Sequence, residues 1–269
     1  MSDPFHRPLC ISIEGNIGAS KSTFLKWIQE YVKESRGDEV PVRVTYESIE
    51  EWTNLDGHDV LQMFYDAPKE MGFAFQVLAM ITRLEAADQD RTCACTVPNE
   101  CLCIRFTERS PFSDLCFAGV NHSSGNMSDV EYAIYRRAMG HFCSKNDNLP
   151  DGVVYLRASP ETCRERIVSR DRMEEKGGDS IPVEYLRKLH DQHDKEFGTE
   201  SSRGRLIGRR VVGDTENSHF CPVLVLDVNS NLITDVQARQ VRLAEIVEFA
   251  ESLRSPDAKF ANFMATAHG

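Results

Sequence analysis

Apolar and polar positions alternate along the chain in a way that predicts its elements one by one. Leu9 to Glu14 is a short apolar run, and after a glycine-containing turn Phe24, Trp27, Ile28, Tyr31 and Val32 fall at helical spacing. This predicts a strand, a turn and a helix over Lys21 to Ser35. Val42 to Tyr46 (VRVTY) is β-branched and predicts a second strand that ends at Glu47. A polar loop through Asn54, Asp56, Gly57 and His58 leads to a short helical pattern at Val60, Leu61, Met63, Phe64 and Tyr65, which Pro68 interrupts. Met71 to Ala87 predicts a long helix, with Phe73, Phe75, Val77, Leu78, Ile81 and Leu84 mainly toward a core. Leu102 to Thr107 is a third strand that runs into Glu108-Arg109-Ser110. Phe112 to Val120 and Asp129 to Phe142 are helical patterns joined by the polar linker Asn121 to Met127. Gly152 to Arg157 (GVVYLR) is nearly all apolar, as suits a parallel strand covered on both faces.

Pro160 opens a further helix at its first turn. Gly177-Gly178 breaks the chain before the helical pattern Pro182 to Phe197. Thr199 to His219 is polar and arginine-rich and reads as a long loop. Pro222 to Val228 (PVLVLDV) predicts a fifth strand, Asp235 to Leu253 a closing helix, and about 255–269 a flexible tail. Strands alternating with helices imply an α/β fold. The sheet is five-stranded and parallel with helices on both faces, a three-layer sandwich. At 269 residues the chain fits one domain, since α/β folds often run to this length undivided.

The turn after the first strand carries the chemistry. Gly15-Asn16-Ile17-Gly18-Ala19-Ser20-Lys21-Ser22-Thr23 follows a strand and opens a helix, the setting of a phosphate-cradling P-loop. Backbone N–H groups there converge on phosphate oxygens, which needs conformations that glycine tolerates best. Lys21 would neutralise the β- and γ-phosphates, Ser22 would offer its hydroxyl to Mg²⁺, and the helix N-terminus adds partial positive charge. Ser20 stands where the last glycine of the pattern belongs. Helical backbone angles there would be harmless, whereas left-handed ones would cost on the order of 1–2 kcal/mol. The other strand ends add Glu47 and the pair Glu108-Arg109, and ligands of open α/β sheets bind in the crevice at such ends.

Gln76 and Arg83, seven residues apart, share one helix face and are either solvated or part of a site. Arg164, Arg166, Arg170 and Arg172 crowd nine residues; in so acidic a chain an anion-facing lid over about 166–180 is preferred to a solvated helix. The formal net charge is −11, which argues against a general nucleic-acid or anionic-membrane binder. No apolar run approaches a membrane span, and the polar start predicts a cytosolic protein. Nine cysteines then read as reduced thiols. The group Cys93, Cys95, Cys101 and Cys103 has tighter spacing than structural zinc prefers, and unpaired thiols are favoured. His190 and His193 are taken as surface residues rather than a metal pair.

In combination, GNIGASKST, ESIEEW, MFYDAP with FQ, ERSPFSD, RDRMEE and VLDVN resemble the deoxynucleoside kinase family, in the pattern of its deoxycytidine and deoxyguanosine kinases, over nearly the whole chain. The resemblance implies transfer of the ATP γ-phosphate to the 5′-hydroxyl of a deoxynucleoside, with Mg²⁺, in nucleotide salvage. It implies a homodimer. Glu47 matches the carboxylate that takes the hydroxyl proton. Glu108 matches an acidic residue placed near the magnesium and sometimes assigned as proton acceptor itself. Arg109 matches the arginine that holds the 5′ region.

By the same resemblance Tyr65 and Glu175 bind the 3′-hydroxyl, Gln76 reads the base edge, Phe117 stacks on the base, and Trp52 belongs to the nucleoside site. Arg166, Arg170 and Arg172 are the lid arginines, and Ser230, Asn231 and Leu232 occupy the adenine-contacting segment. Arg83 with Asp114 goes with deoxycytidine, deoxyadenosine or deoxyguanosine rather than thymidine. Ser20 departs from the family and raises an alternative, a non-catalytic relative that keeps the fold. Ser48, where a proline is usual, is a milder departure. A nucleoside monophosphate kinase of similar topology is disfavoured by the base and sugar motifs.

Overall fold

The computed structural model describes residues 8–37, 40–89, 103–146, 149–169, 181–198, 205–210 and 218–254. Strand β1 (Leu9–Glu14) is followed by α1 (Lys21–Arg36), β2 (Val42–Thr45), α2 (Ile49–Thr53), α3 (Val60–Asp66) and α4 (Pro68–Gln89). Then come β3 (Ile104–Glu108), α5 (Pro111–Ser123), α6 (Asp129–Asn146), β4 (Gly152–Arg157), α7 (Pro160–Ser169) and α8 (Val183–Phe197). The chain closes with β5 (Arg205–Arg210), β6 (Ser218–Asp227) and α9 (Val236–Leu253). The strands form a single sheet in the order β2-β3-β1-β4-β6-β5. The five expected strands pair in parallel.

The expected loop over Thr199 to His219 contains β5, which pairs antiparallel with a β6 that already begins at Ser218. Among the described residues the sheet therefore has six strands, five parallel and one antiparallel at the edge. Three arginines and a glycine in β5 (RLIGRR) hid the strand; an edge strand borders a partner on one side only, and charge there discourages further pairing. Ile49–Thr53 adds a short helix, to which the sequence pattern assigned no element, just before the expected polar loop. Pro68 separates α3 from the long helix as expected, and it also opens α4, because proline at a first helical position gives up a hydrogen bond that position lacks anyway.

The sheet separates two cores by side-chain alternation. On β4, Val154 and Leu156 face α1, α7 and α9, while Val153 and Tyr155 face α4, α5 and α6. A third, smaller cluster of Trp52, Val60, Leu61, Phe64, Phe75 and Ala79 joins α2, α3 and α4. Strand β1 sits between β3 and β4; the chain runs from β1 past β3 to β2 and later from β3 past β1 to β4, so the winding reverses there and a crevice opens at the C-terminal end of β1. The turn 15–20, Glu47 and Glu108 all lie on that edge. No described helix is long and apolar enough to cross a membrane.

Phe249 of α9 is fully buried against this sheet. Phe249→Ala is expected to cost about 3–5 kcal/mol, read as a lower urea midpoint at unchanged slope.

Candidate active site

The loop after β1 is held in conformations that few residues accept. Gly15 has φ 146° and Gly18 φ 81°; a Cβ would lie 2.7 Å from the Leu156 carbonyl oxygen at the first and 2.5 Å from that of Cys163 at the second. Both glycines are therefore required on two grounds, backbone angle and space. Ser20, at the N-cap of α1, has φ 70° and ψ 26°, the left-handed branch of the two expectations, and its side chain does not cap the helix. Asn16 ties the loop down: its Nδ2 donates to the Leu186 carbonyl on α8 at 2.8 Å, and its Oδ1 accepts from the Ile17 N–H at 2.8 Å. The buried Lys21 donates from Nζ to the Asn16 carbonyl at 3.0 Å, so the ammonium lies along the loop. Ala19 is fully buried beneath it, and Thr23 follows on the first turn of α1.

Behind the loop lies a charge cluster. Arg109 pairs through Nε with Glu47 at 2.7 Å and donates to the Gly15 carbonyl at 2.8 Å. Its φ of 68° is left-handed. Arg83 pairs with Asp114 at 2.8 Å, reaches Glu47 at 3.4 Å and donates to the Glu108 carbonyl at 3.0 Å. The two positions left open on the face of α4 thus separate: Arg83 enters the site, and Gln76 is buried at its wall. Burial pushes the Glu47 pKa up, but Arg109, Arg83 and Lys21 outweigh it and hold the carboxyl below its usual value. Burial raises the Asp114 pKa, with Arg83 pulling against it. Burial also opposes the charge of Arg83, but Asp114 and Glu47 prevail and raise its pKa.

Glu14, fully buried at the end of β1, accepts hydrogen bonds from the hydroxyls of Ser110 and Ser113. Sequence reasoning passed over Glu14, although a carboxylate closing an apolar strand was a visible signal. Ser22 donates from Oγ to Glu108 Oε1 at 3.0 Å. A hydroxyl and a carboxylate side by side are hard oxygen donors, the set Mg²⁺ takes, so these residues fit that ion.

A cavity of about 340 Å³ opens between the loop and α4. Ile17, Gly18, Lys21 and Ser22 line it from the loop and α1, Glu47, Glu108 and Arg109 from the strand ends, and Trp52, Tyr65, Gln76, Arg83, Asp114 and Phe117 from α2, α3, α4 and α5. Trp52 is fixed by a 3.0 Å bond from Nε1 to Thr82 Oγ1 and by an edge contact with Phe75. The Phe117 ring lies under the Arg109 guanidinium at 4.6 Å. Tyr185 of α8, which the sequence did not single out, also lines the cavity; burial raises its pKa, aided by Tyr65.

A second cavity of about 110 Å³ lies on the far side of the loop, against Ser20, Thr23, Trp27, Arg166, Asn231 and Leu232. Arg166 is turned there, donating to the carbonyls of Val228 at 2.6 Å and Ser230 at 3.1 Å. Arg170, Arg172 and Glu175 lie outside the described residues, as do Cys93, Cys95 and Cys101. The six described cysteines, Cys10, Cys103, Cys116, Cys143, Cys163 and Cys221, are all buried. No group of three metal-ligating side chains occurs among the described residues.

The expectation of surface histidines fails at His193, which is fully buried, while His190 is half-buried beside Asp194. Leu186, Leu189, His193 and Phe197 are the buried stripe of α8, at spacings of three and four that were readable in the sequence. Burial, reinforced by the charge of Arg109, pushes the His193 pKa down to about 3, despite the bond from Nδ1 to the Leu189 carbonyl.

The family described as deoxynucleoside kinase matches residues 11–251. A chicken (Gallus gallus) deoxycytidine kinase 2 is 32% identical over 90% of each chain. Human deoxycytidine kinase is 35% identical over 82% of this chain and 84% of its own. A mitochondrial deoxyguanosine kinase of Xenopus laevis is 27% identical over 82% of this chain.

Two outcomes follow from the site's geometry. Ser20→Gly relieves a left-handed non-glycine residue and should stabilise the protein by about 1–2 kcal/mol, raising the melting temperature by a few degrees. For His193, the unfolded imidazole takes a proton below about pH 6.5 and the folded one only near pH 3, so stability falls as pH drops between these values, by up to about 1.4 kcal/mol per unit. His193→Phe should flatten that part of the urea-stability profile.

Proposed function

This chain belongs to the deoxynucleoside kinase family, enzymes that phosphorylate nucleosides with ATP, and on that premise we propose that Glu47 is the proton acceptor for a deoxynucleoside 5′-hydroxyl. The observation that carries the reading is that Glu47 and Lys21 line the same cavity. The 5′-oxygen attacks the γ-phosphorus and the new P–O bond forms. The bond from that phosphorus to the β–γ bridging oxygen breaks, and ADP leaves. The hydroxyl proton passes to the Glu47 carboxylate. A carboxylate below its usual pKa is a weak base, but phosphoryl transfer depends mainly on alignment and charge stabilisation. Arg109 holds that carboxylate, and Lys21 with the loop N–H groups receives the phosphates. Ser22 and Glu108 would hold Mg²⁺, which when bound screens phosphate charge. The engagement of Glu108 with Ser22 favours this division of roles over Glu108 as base.

On this reading Tyr65 and Glu175 bind the sugar 3′-hydroxyl, Trp52 walls the nucleoside end, Gln76 meets the base edge and Phe117 stacks on the base. Arg83 with Asp114 selects deoxycytidine, deoxyadenosine or deoxyguanosine over thymidine, because a charged pair suits an exocyclic amine and crowds a methyl group. The names of the vertebrate relatives point the same way. Arg166, Arg170 and Arg172 form the lid over about 166–180, and Ser230, Asn231 and Leu232 flank the adenine. The enzyme acts as a cytosolic homodimer of single-domain subunits in DNA-precursor salvage.

One observation favours a second reading, a nucleotide-binding relative without activity: the strained Ser20 in the loop. One assay separates the two. Purified protein with ATP and Mg²⁺ is given each of the four deoxynucleosides and each monophosphate. Transfer to deoxycytidine or a purine deoxynucleoside, reduced about 10²–10⁴-fold in kcat by Glu47→Gln, is the expected result. ATP binding without transfer to any nucleoside would favour the inactive relative.

A further inference from the structure

His193 has no part in the chemistry described above, yet it is fully buried and its Nε2 has no hydrogen-bond partner. Its Nδ1 lies 2.7 Å from the Leu189 carbonyl, which only accepts, so the proton sits on Nδ1 and Nε2 keeps a bare lone pair. Burying an unsatisfied nitrogen costs stability, and an apolar ring would fill the same space without that cost. The surroundings show what the imidazole touches. It is stacked at 18° on Tyr155 of β4, tilted on Phe197 of its own helix, and perpendicular (89°) to Phe117 of α5 at 6.0 Å.

Phe117 thus touches both the His193 ring, perpendicular to it at 6.0 Å, and the Arg109 guanidinium, 4.6 Å over its face. The same helix meets the phosphate loop two turns earlier, where the Leu186 carbonyl receives Asn16. Helix α8 therefore touches both the phosphate loop and a ring that lines the cavity, from positions two turns apart.

We infer that His193 is a positioning residue for nucleoside binding: wedged behind Phe117, it sets the angle of the ring against which the base rests, and acts on nucleoside affinity rather than on phosphate transfer. The inference rests on the proposed role of Phe117 as the base-stacking ring.

The test is steady-state kinetics with deoxycytidine, deoxyadenosine and deoxyguanosine at saturating ATP, and with ATP varied at saturating nucleoside. The variants are His193→Ala, His193→Phe, Phe117→Ala and the double alanine variant, each first checked for a cooperative melt. His193→Ala should raise the nucleoside KM by roughly 5–10-fold, within the range of about 2–12-fold that an aromatic pair supplies, with kcat and the ATP KM within twofold of the parent. His193→Phe, which keeps a wedge of similar size, should recover most of the loss. In the Phe117→Ala background the His193 change should add nothing. An unchanged nucleoside KM in His193→Ala overturns the inference, as does a parallel rise in both KM values. If the alanine variant does not fold, His193→Phe decides alone: a nucleoside KM near the parent's supports the wedge, and a large rise overturns it. Should Phe117→Ala itself leave the nucleoside KM unchanged, the underlying role of Phe117 falls, a result distinct from failure at His193 alone.

Discussion

The guanidinium of Arg109 joins three things that the chain keeps far apart. It receives Glu47 from the end of β2, donates to Gly15 in the loop after β1, and covers the Phe117 ring of α5. A planar fork with five donors serves these partners at fixed mutual angles, which a lysine ammonium does not. The carboxylate, the phosphate loop and the base-side wall are therefore registered against one group. Displacing that group would leave Glu47 buried with Arg83 as its remaining close partner and release the ring at the same time.

Burying so much charge is tolerable because it is arranged as a network. Arg83 bridges Glu47 and Asp114, Arg109 pairs with Glu47 alone of the two, and Glu14 accepts from two serine hydroxyls. Removing both partners of a buried pair is often mild, whereas removing one exposes the other's full desolvation penalty. The network also answers a problem set by composition. A chain of net charge −11 that is to receive a triphosphate must concentrate its cations. Lys21, Arg83 and Arg109 meet in the cavity, and Arg166 stands at the neighbouring one.

Much of this was legible because it is local. A glycine loop between strand and helix, and carboxylates at strand ends, follow from spacing alone, and parallel order brings the strand ends to one edge. What escaped detection depends on partners distant in sequence. Strand β5 is defined by pairing with β6, and its own residues argue for a loop. Glu14 acquires meaning only when Ser110 and Ser113 arrive from 96 and 99 residues away. His193 was misjudged for a different reason. Its residue type outweighed its position in an apolar stripe whose period was in plain view.

Backbone strain supplies a last discrimination. Three described non-glycine residues have positive φ: Ser20, Asp56 and Arg109. Asp56 needs no special account, since Asp-Gly inside the Leu55–His58 bridge is the common composition of a tight two-residue turn, and aspartate accepts left-handed angles readily. Ser20 and Arg109 have no such turn, and each costs of order 1–3 kcal/mol that the surroundings must overrule. For Arg109 the overruling contacts are visible as Gly15, Ser113 and Glu47. For Ser20 they are the first backbone bond of α1, from the Phe24 N–H to its carbonyl at 3.0 Å, and the buried Ala19 beside it. Both strained residues border the cavities flanking the phosphate loop, and the unstrained alternative at each would turn a helix start or a guanidinium away from them. The conformational cost is concentrated where the fold must present positive charge, and the rest of the sheet and its two cores hold it there.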